Sequence, residues 1–173
     1  QNILIHSNFT KLIDLDIKPE DFLNKFFQLY PGCTLFAPSG FFREKNKKFI
    51  SLKKITPSNE FGLLSKRMLT YDKKTKIFRN NNPFDNLVGI NLAGKYFKSR
   101  NILAYGKNSP YRKLLKFNTS IMLIDVTFFY NSMFHMVELD AKVPYRKNLK
   151  FKFGGNQFEL FARKKNNLFI DYS

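Results

Sequence analysis

The sequence holds one cysteine, no tryptophan, two histidines and few acids, and each scarcity excludes something. A lone Cys33 can build neither a disulfide framework nor a cysteine-based zinc site. Such sparing use of cysteine suits a reducing compartment, so the cytoplasm is the expected location. The longest apolar run, Ile121 to Tyr130, is broken by Asp125 and is too short to span a bilayer, so no membrane insertion is expected. No short period recurs, which excludes collagen, coiled coil and low-complexity repeats. The chain does not open on a basic stretch followed by an apolar core, as a secretory leader would. The phosphate loop, the dinucleotide glycine motif and the G-x-S-x-G elbow are all missing.

What is present describes a globular chain. Its 173 residues are 43% hydrophobic and 25% charged, enough to bury a sizeable core and wrong for disorder. One domain over residues 1–173 is expected. Lys and Arg total 30 against 13 Asp and Glu, a formal charge of +17. That surplus attracts phosphates. The lysines are nevertheless dispersed, with small clusters at Lys45–Lys48, Lys73–Lys76 and Arg163–Lys165, and no nucleic-acid motif accompanies them. Richness in Lys, Asn, Ile and Phe is also what an AT-rich genome produces on a solvated surface. Nucleic acid is therefore not the expected partner. A phosphate-bearing coenzyme or nucleotide sugar suits the same charge.

Patterning along the chain predicts alternating strands and helices. Asn2-Ile3-Leu4-Ile5-His6 reads as a buried strand running into a polar turn, Ser7-Asn8. Lys18-Pro19-Glu20-Asp21 starts a helix whose apolar face is Phe22, Leu23, Phe26, Phe27 and Tyr30, stopped by Pro31-Gly32. Cys33 to Ala37 is a short buried strand ended by Pro38-Ser39-Gly40. Phe41 to Ile55 reads as a basic loop, and Thr56-Pro57-Ser58 starts a helix continuing through Leu63, Leu64, Arg67 and Met68. Tyr71 to Lys76 reads as a solvated turn and Asn80 to Pro83 as a loop. Leu87 to Ile90 is a strand, and Ser109-Pro110 caps a helix over Tyr111 to Lys116. Ile121 to Val126 reads as the best-buried strand, followed by a cap at Asn131-Ser132 and a helix over Met133 to Leu139. Leu149, Phe151 and Phe153, then Phe158 and Leu160, alternate with polar residues across Gly154-Gly155, an antiparallel hairpin pattern. Leu168 to Tyr172 reads as a further strand.

Few residues can carry chemistry. His6 and His135 both lie near the ends of apolar strands, where sites of α/β folds collect. His135 and Glu138 form H-x-x-E, a spacing that places both on one helix face. A carboxylate there orients an imidazole for general-base work, although the same spacing is common in surface pairs. Two candidate ligands are too few for a metal, so none is expected. Cys33, inside an apolar strand, reads as packing rather than as a nucleophile. Ser109 is either an anion seat or an ordinary helix cap.

Five of these segments, in order, resemble one family. They are Ile5-His6-Ser7-Asn8, then Gly32-Cys33-Thr34-Leu35-Phe36-Ala37-Pro38-Ser39, then Thr56-Pro57-Ser58 with Gly62-Leu63-Leu64. Gly106-Lys107-Asn108-Ser109-Pro110-Tyr111-Arg112-Lys113-Leu114 follows, and His135 with Glu138 closes the series. From about residue 1 to about residue 145 the sequence resembles the antibiotic N-acetyltransferases, whose best-known members are the aminoglycoside 3-N-acetyltransferases. The resemblance implies an α/β three-layer sandwich with a mixed central sheet, here with a C-terminal antiparallel hairpin. It implies acetyl-CoA as co-substrate and an amino-sugar acceptor. His135 would be the general base and Glu138 its support. The turns at Ser7, Asn8, Pro38, Ser39 and Ser109 would face the coenzyme or the acceptor, with His6 and Asp85 on the acceptor side.

The departures narrow the acceptor. Aminoglycoside-modifying members carry a His-Pro-x-His-Ser segment; here Asn82-Pro83-Phe84-Asp85-Asn86 stands in its place. A protein of +17 also repels polycationic aminoglycosides, which favours a nucleotide-linked amino sugar. By family standards both ends look shortened, which leaves open a split or truncated version or a fragment of a longer protein, and either an inactive chain or one that needs a partner chain completing the fold, or a homo-oligomer. Two other readings stay open: a non-catalytic relative serving as a binding or assembly subunit, and a basic nucleic-acid-binding domain.

Overall fold

The computed structural model describes residues 1–39, 62–71, 77–79, 87–91, 105–153, 156–165 and 168–170. The fold is built outward from β1 (Asn2–Ser7), whose Ile3, Leu4, Ile5 and His6 are all buried. A continuous apolar run of this kind belongs to a strand covered on both faces. β1 pairs in parallel with β2 (Thr34–Pro38) on one side and with β5 (Ser120–Ile124) on the other. β4 (Leu87–Ile90) lies antiparallel to β2, and β3 (Ile77–Arg79) antiparallel to β4. The result is a mixed five-stranded sheet of order β3-β4-β2-β1-β5.

Strand residues alternate between two faces, and each face finds its own helices. Ile3, Ile5, Leu35 and Ala37 join Phe9 of α1 (Phe9–Asp14), Leu23 and Phe26 of α2 (Pro19–Leu29), and Leu64 and Met68 of α3 (Leu63–Met68). Leu4 and Phe36 point the other way. They join Tyr111 and Leu114 of α4 (Pro110–Lys116) and Met136 of α5 (Phe134–Asp140). Helices therefore cover both faces of a mixed sheet, the three-layer arrangement expected. A second, antiparallel sheet of β6 (Arg146–Phe153), β7 (Asn156–Lys165) and β8 (Leu168–Ile170) contains the anticipated hairpin.

Local chemistry sets the helix ends. α2 opens on Pro19, with Glu20 and Asp21 in its first turn, where a proline lacks no needed donor and acids meet the helix dipole. After the helix Gly32 adopts φ +82°, a conformation open to glycine and costly for other residues. α4 opens on Ser109, whose hydroxyl accepts the backbone N–H of Arg112 at 3.2 Å. Ser109→Ala is expected to lower unfolding stability by about 1 kcal/mol, read as a smaller urea midpoint at unchanged slope. Arg112 then ties α4 to α5. Its guanidinium donates to both carboxylate oxygens of Asp140 and to the Met136 carbonyl.

The structure corrects two expectations and adds two elements. The strand over Ile121–Val126 is not the best buried. As β5 it ends at Ile124 and has only β1 beside it among the described residues, which leaves Ile121 39% exposed. α1 and β3 were not anticipated. Six helical and three strand residues are too few for a hydrophobic period to show. The helix over Leu63 to Met68 begins after Gly62, at φ +92°. Its anticipated start at Thr56-Pro57-Ser58 lies outside the described residues, as do Phe41 to Ile55, Lys73 to Lys76, Asn80 to Pro83, Gly154-Gly155 and Tyr172.

Candidate active site

The parallel strands β2, β1 and β5 all end at one edge of the sheet. From β1 the chain passes to β2 on one side, while β5 closes on the other. A strand order that departs to both sides of one strand leaves a crevice beyond the strand ends. A cavity of about 510 Å³ opens there, its wall including His6, Ser7, Asn8, Pro38, Asp125 and Ser132. Ligand pockets fall in this size range, roughly 300–1,000 Å³.

Polar contacts fix the loops around the cavity. The backbone N–H of Asn8 donates to the Ile124 carbonyl at 3.0 Å. Its side-chain amide donates to Asp125 at 3.1 Å, and the Lys11 ammonium donates to the other Asp125 oxygen at 2.9 Å. Asp125 sits at φ 51°, a left-handed conformation that aspartate tolerates better than most side chains. The loops leaving β1 and β5 are thus tied to each other at the mouth.

The histidine–glutamate pair is not part of the cavity wall, but His135 is a charge neighbour of the wall residue His6. α5 places His135 and Glu138 one turn apart, and His135 Nδ1 lies 2.7 Å from Glu138 Oε2. Arg146 of β6 holds its Nε 2.9 Å from the same oxygen. Burial pushes the Glu138 carboxyl up, but its bond to His135 and the charge of Arg146 outweigh that, and it lies below its ordinary value. Glu138 is therefore a carboxylate, which can only accept, so His135 Nδ1 carries the hydrogen. In the neutral ring Nε2 then keeps its lone pair. The edge of Tyr105 packs against the His135 ring at 5.1 Å between centroids and helps hold its plane.

His6 shares the α5 side of β1 with Leu4, by strand alternation. It is 6% exposed, and its Nε2 has no hydrogen-bond partner among the described residues. Burial, followed by the neighbouring positive form of His135, lowers its pKa to about 4. Burial also holds His135 below its ordinary value, with Arg146 adding and the bond to Glu138 opposing. Both imidazoles are accordingly neutral near pH 7.

These depressed values have a stability consequence. An unfolded histidine takes up a proton below about 6.5, whereas folded His6 refuses it down to about 4. The unfolded state thus binds more protons in that window, and stability falls as pH falls through it. Urea midpoints measured between pH 7 and pH 4 are expected to decline, and His6→Asn is expected to flatten the decline.

The other expected site residues divide. Ser7, Asn8, Pro38 and His6 line the cavity. Ser39 and Ser109 are fully buried and absent from its wall, and Ser109 is occupied as the α4 cap. Asp85 lies outside the described residues. Cys33 is buried, and burial pushes its thiol pKa up, the state of a packing residue. The sequence reading passed over Lys11, Tyr105 and Arg146. Asp125 left a trace, as an acid ending an apolar run, but was not assigned a role.

The fold defines the class: a three-layer α/β protein with the architecture of the aminoglycoside acetyltransferases. The apoenzyme of aminoglycoside acetyltransferase AAC(3)-IVa superposes with a TM-score of 0.75 at 19% identity, over 95% of this chain and 63% of that one. A mutant of AAC(3)-IVa in complex with apramycin gives 0.73 at 20%, over 95% and 65%. The YokD protein from Bacillus subtilis gives 0.73 at 14%, over 95% and 76%. At such identities the likeness is one of fold. The family model described as Aminoglycoside 3-N-acetyltransferase matches residues 4–154, and the chain belongs to this family. It spans about 63% of the length of AAC(3)-IVa. No curated protein matches the sequence. Among the described residues no helix is long and apolar enough to cross a membrane.

Proposed function

We propose that the protein transfers an acetyl group from acetyl-CoA to an amino group of a sugar, in the cytoplasm, with His135 as general base. The observation that carries this reading is the 2.7 Å His135–Glu138 contact, with His6, which feels the charge of His135, on the wall of the cavity at the carboxyl edge of the sheet. An ammonium has no lone pair, so the acceptor reacts as the free amine, having given one proton to solvent. His135 Nε2 takes a second proton from the amine nitrogen as that nitrogen bonds to the thioester carbonyl. The carbon–sulfur bond then breaks, its electron pair stays on sulfur, and the imidazolium returns the proton to the thiolate. Glu138 steadies the charged imidazolium in between. Backbone amides at the turns of Ser7-Asn8 and Pro38-Ser39 would serve the transient oxyanion.

Ser7, Asn8 and Pro38 face the coenzyme in this reading, with His6 toward the acceptor; Ser39 and Ser109 act by shaping the turns they are buried in. Asp85 is assigned to the acceptor side on family resemblance. The acceptor class is supported by the apramycin complex of AAC(3)-IVa. A net charge of +17 favours an acceptor bearing phosphate over a polycation. Leu115, Phe128 and Val137 are exposed and line one groove, which supports an additional chain or a second copy there.

Calorimetry with acetyl-CoA, against adenosine 3′,5′-bisphosphate as a charge control, tests the reading. Binding that needs the acetyl-pantetheine arm is expected. Binding no tighter than the control overturns it. Tight binding without turnover on a broad amino-sugar panel would instead assign a non-catalytic relative, a reading favoured by the missing His-Pro-x-His-Ser histidines.

A further inference from the structure

The base and its carboxylate both belong to α5, but the cation that completes the group does not. Arg146 is the first residue of β6 and opens the second sheet. Its Nε lies 2.9 Å from Glu138 Oε2, and the His135 Nδ1–H lies 2.7 Å from that same atom. The Arg146 and Glu138 side chains are only 15% and 19% exposed, so water does not replace this contact cheaply. From this geometry we propose that Arg146 is a positioning residue for acetyl transfer, acting through Glu138 to fix the imidazole and set its protonation. The proposal rests on the acetyl-transfer reading for its catalytic meaning.

Two effects follow from one contact. A carboxylate hydrogen-bonded to His135 and ion-paired with Arg146 is held beside the imidazole. Arg146 also balances the carboxylate's charge. Among the described residues, the groups facing His135 are His6 from β1, Tyr105 before α4, Glu138 on α5 and Arg146 from β6. His6 is neutral near pH 7, so Glu138 and Arg146 decide the local field. Without Arg146 the uncompensated carboxylate favours the imidazolium. A general base works only when unprotonated, so the acid limb of the rate profile must move to higher pH.

The test is Arg146→Gln, followed by NMR titration of the imidazoles. The chain has two histidines, so His6→Asn assigns the signals. In Arg146→Gln the His135 midpoint is expected to rise by about one unit, and Arg146→Lys to restore most of it. The acid limb of kcat/KM should rise with it, lowering activity there about tenfold with KM for acetyl-CoA unchanged. A folded Arg146→Gln protein with an unmoved His135 midpoint overturns the proposal. Should that variant not fold, the wild type decides: the Arg146 Nε–H resonance has to follow the His135 titration, and independence overturns the proposal. Both NMR readouts stand whether or not any acceptor is acetylated. Absence of turnover in the wild type therefore counts against the transfer reading, not against the Arg146 contact.

Discussion

His135→Ala is expected to lower acetyl transfer by about 10²–10⁴-fold while leaving acetyl-CoA binding intact. The two halves of that expectation have separate causes. The imidazole is the group placed to take the amine proton, with Nδ1 committed to Glu138 and Nε2 left with its lone pair. The cavity wall, by contrast, is made by the loops after β1 and β5 and does not include His135. Thiol release from acetyl-CoA measures the first half and calorimetry the second. Undiminished turnover in the variant would remove His135 from the mechanism. Loss of binding together with turnover would make it a wall residue instead of a base.

Phe36→Ala is expected to cost about 3–5 kcal/mol of unfolding free energy. Phe36 is fully buried on β2, in the middle of the five-stranded sheet, and it shares one core with Leu4, Tyr111, Leu114 and Met136. Removing the ring takes away transfer free energy and leaves a cavity between the sheet and the α4–α5 layer. Whole domains are stable by only about 5–15 kcal/mol, so this one change consumes a large part of the total. Urea denaturation of both proteins measures it. A loss under about 1 kcal/mol would mean that α4 and α5 close onto the sheet without the ring and that the core is not packed as described.

The elements that the sequence made legible are those whose patterns outlast one period. α2 shows its apolar face over eleven residues and carries a proline start and a glycine stop. β1, β2 and β4 are apolar runs bounded by turn residues, and Ser109-Pro110 is a cap followed by a first-turn proline. α1 and β3 escaped because they are shorter than the patterns that announce them. β5 misled for a different reason. Apolar content reports what a segment is able to bury, and it does not report whether a neighbour is there to bury it, so an edge strand can read like a central one.

The candidate site divides along the same line. The sequence by itself determined that His135 and Glu138 meet, because a spacing of three on a helix is a local rule of 3.6 residues per turn. It also gave the packing role of Cys33, whereas Ser109 stayed open between anion seat and helix cap until the bond to the Arg112 N–H settled it. Tertiary structure alone decided that His6, 129 positions earlier in the chain, stands on the face of β1 that looks toward His135. It decided likewise that Asp125 gathers Asn8 and Lys11 at the cavity mouth. It delivered Arg146 from a second sheet to an oxygen already bound by the base. The physical reason is that a helix turn or a strand pleat fixes neighbours a few residues apart, whereas contacts across a hundred residues depend on strand order and on which layer each helix covers. Those are properties of the whole packing.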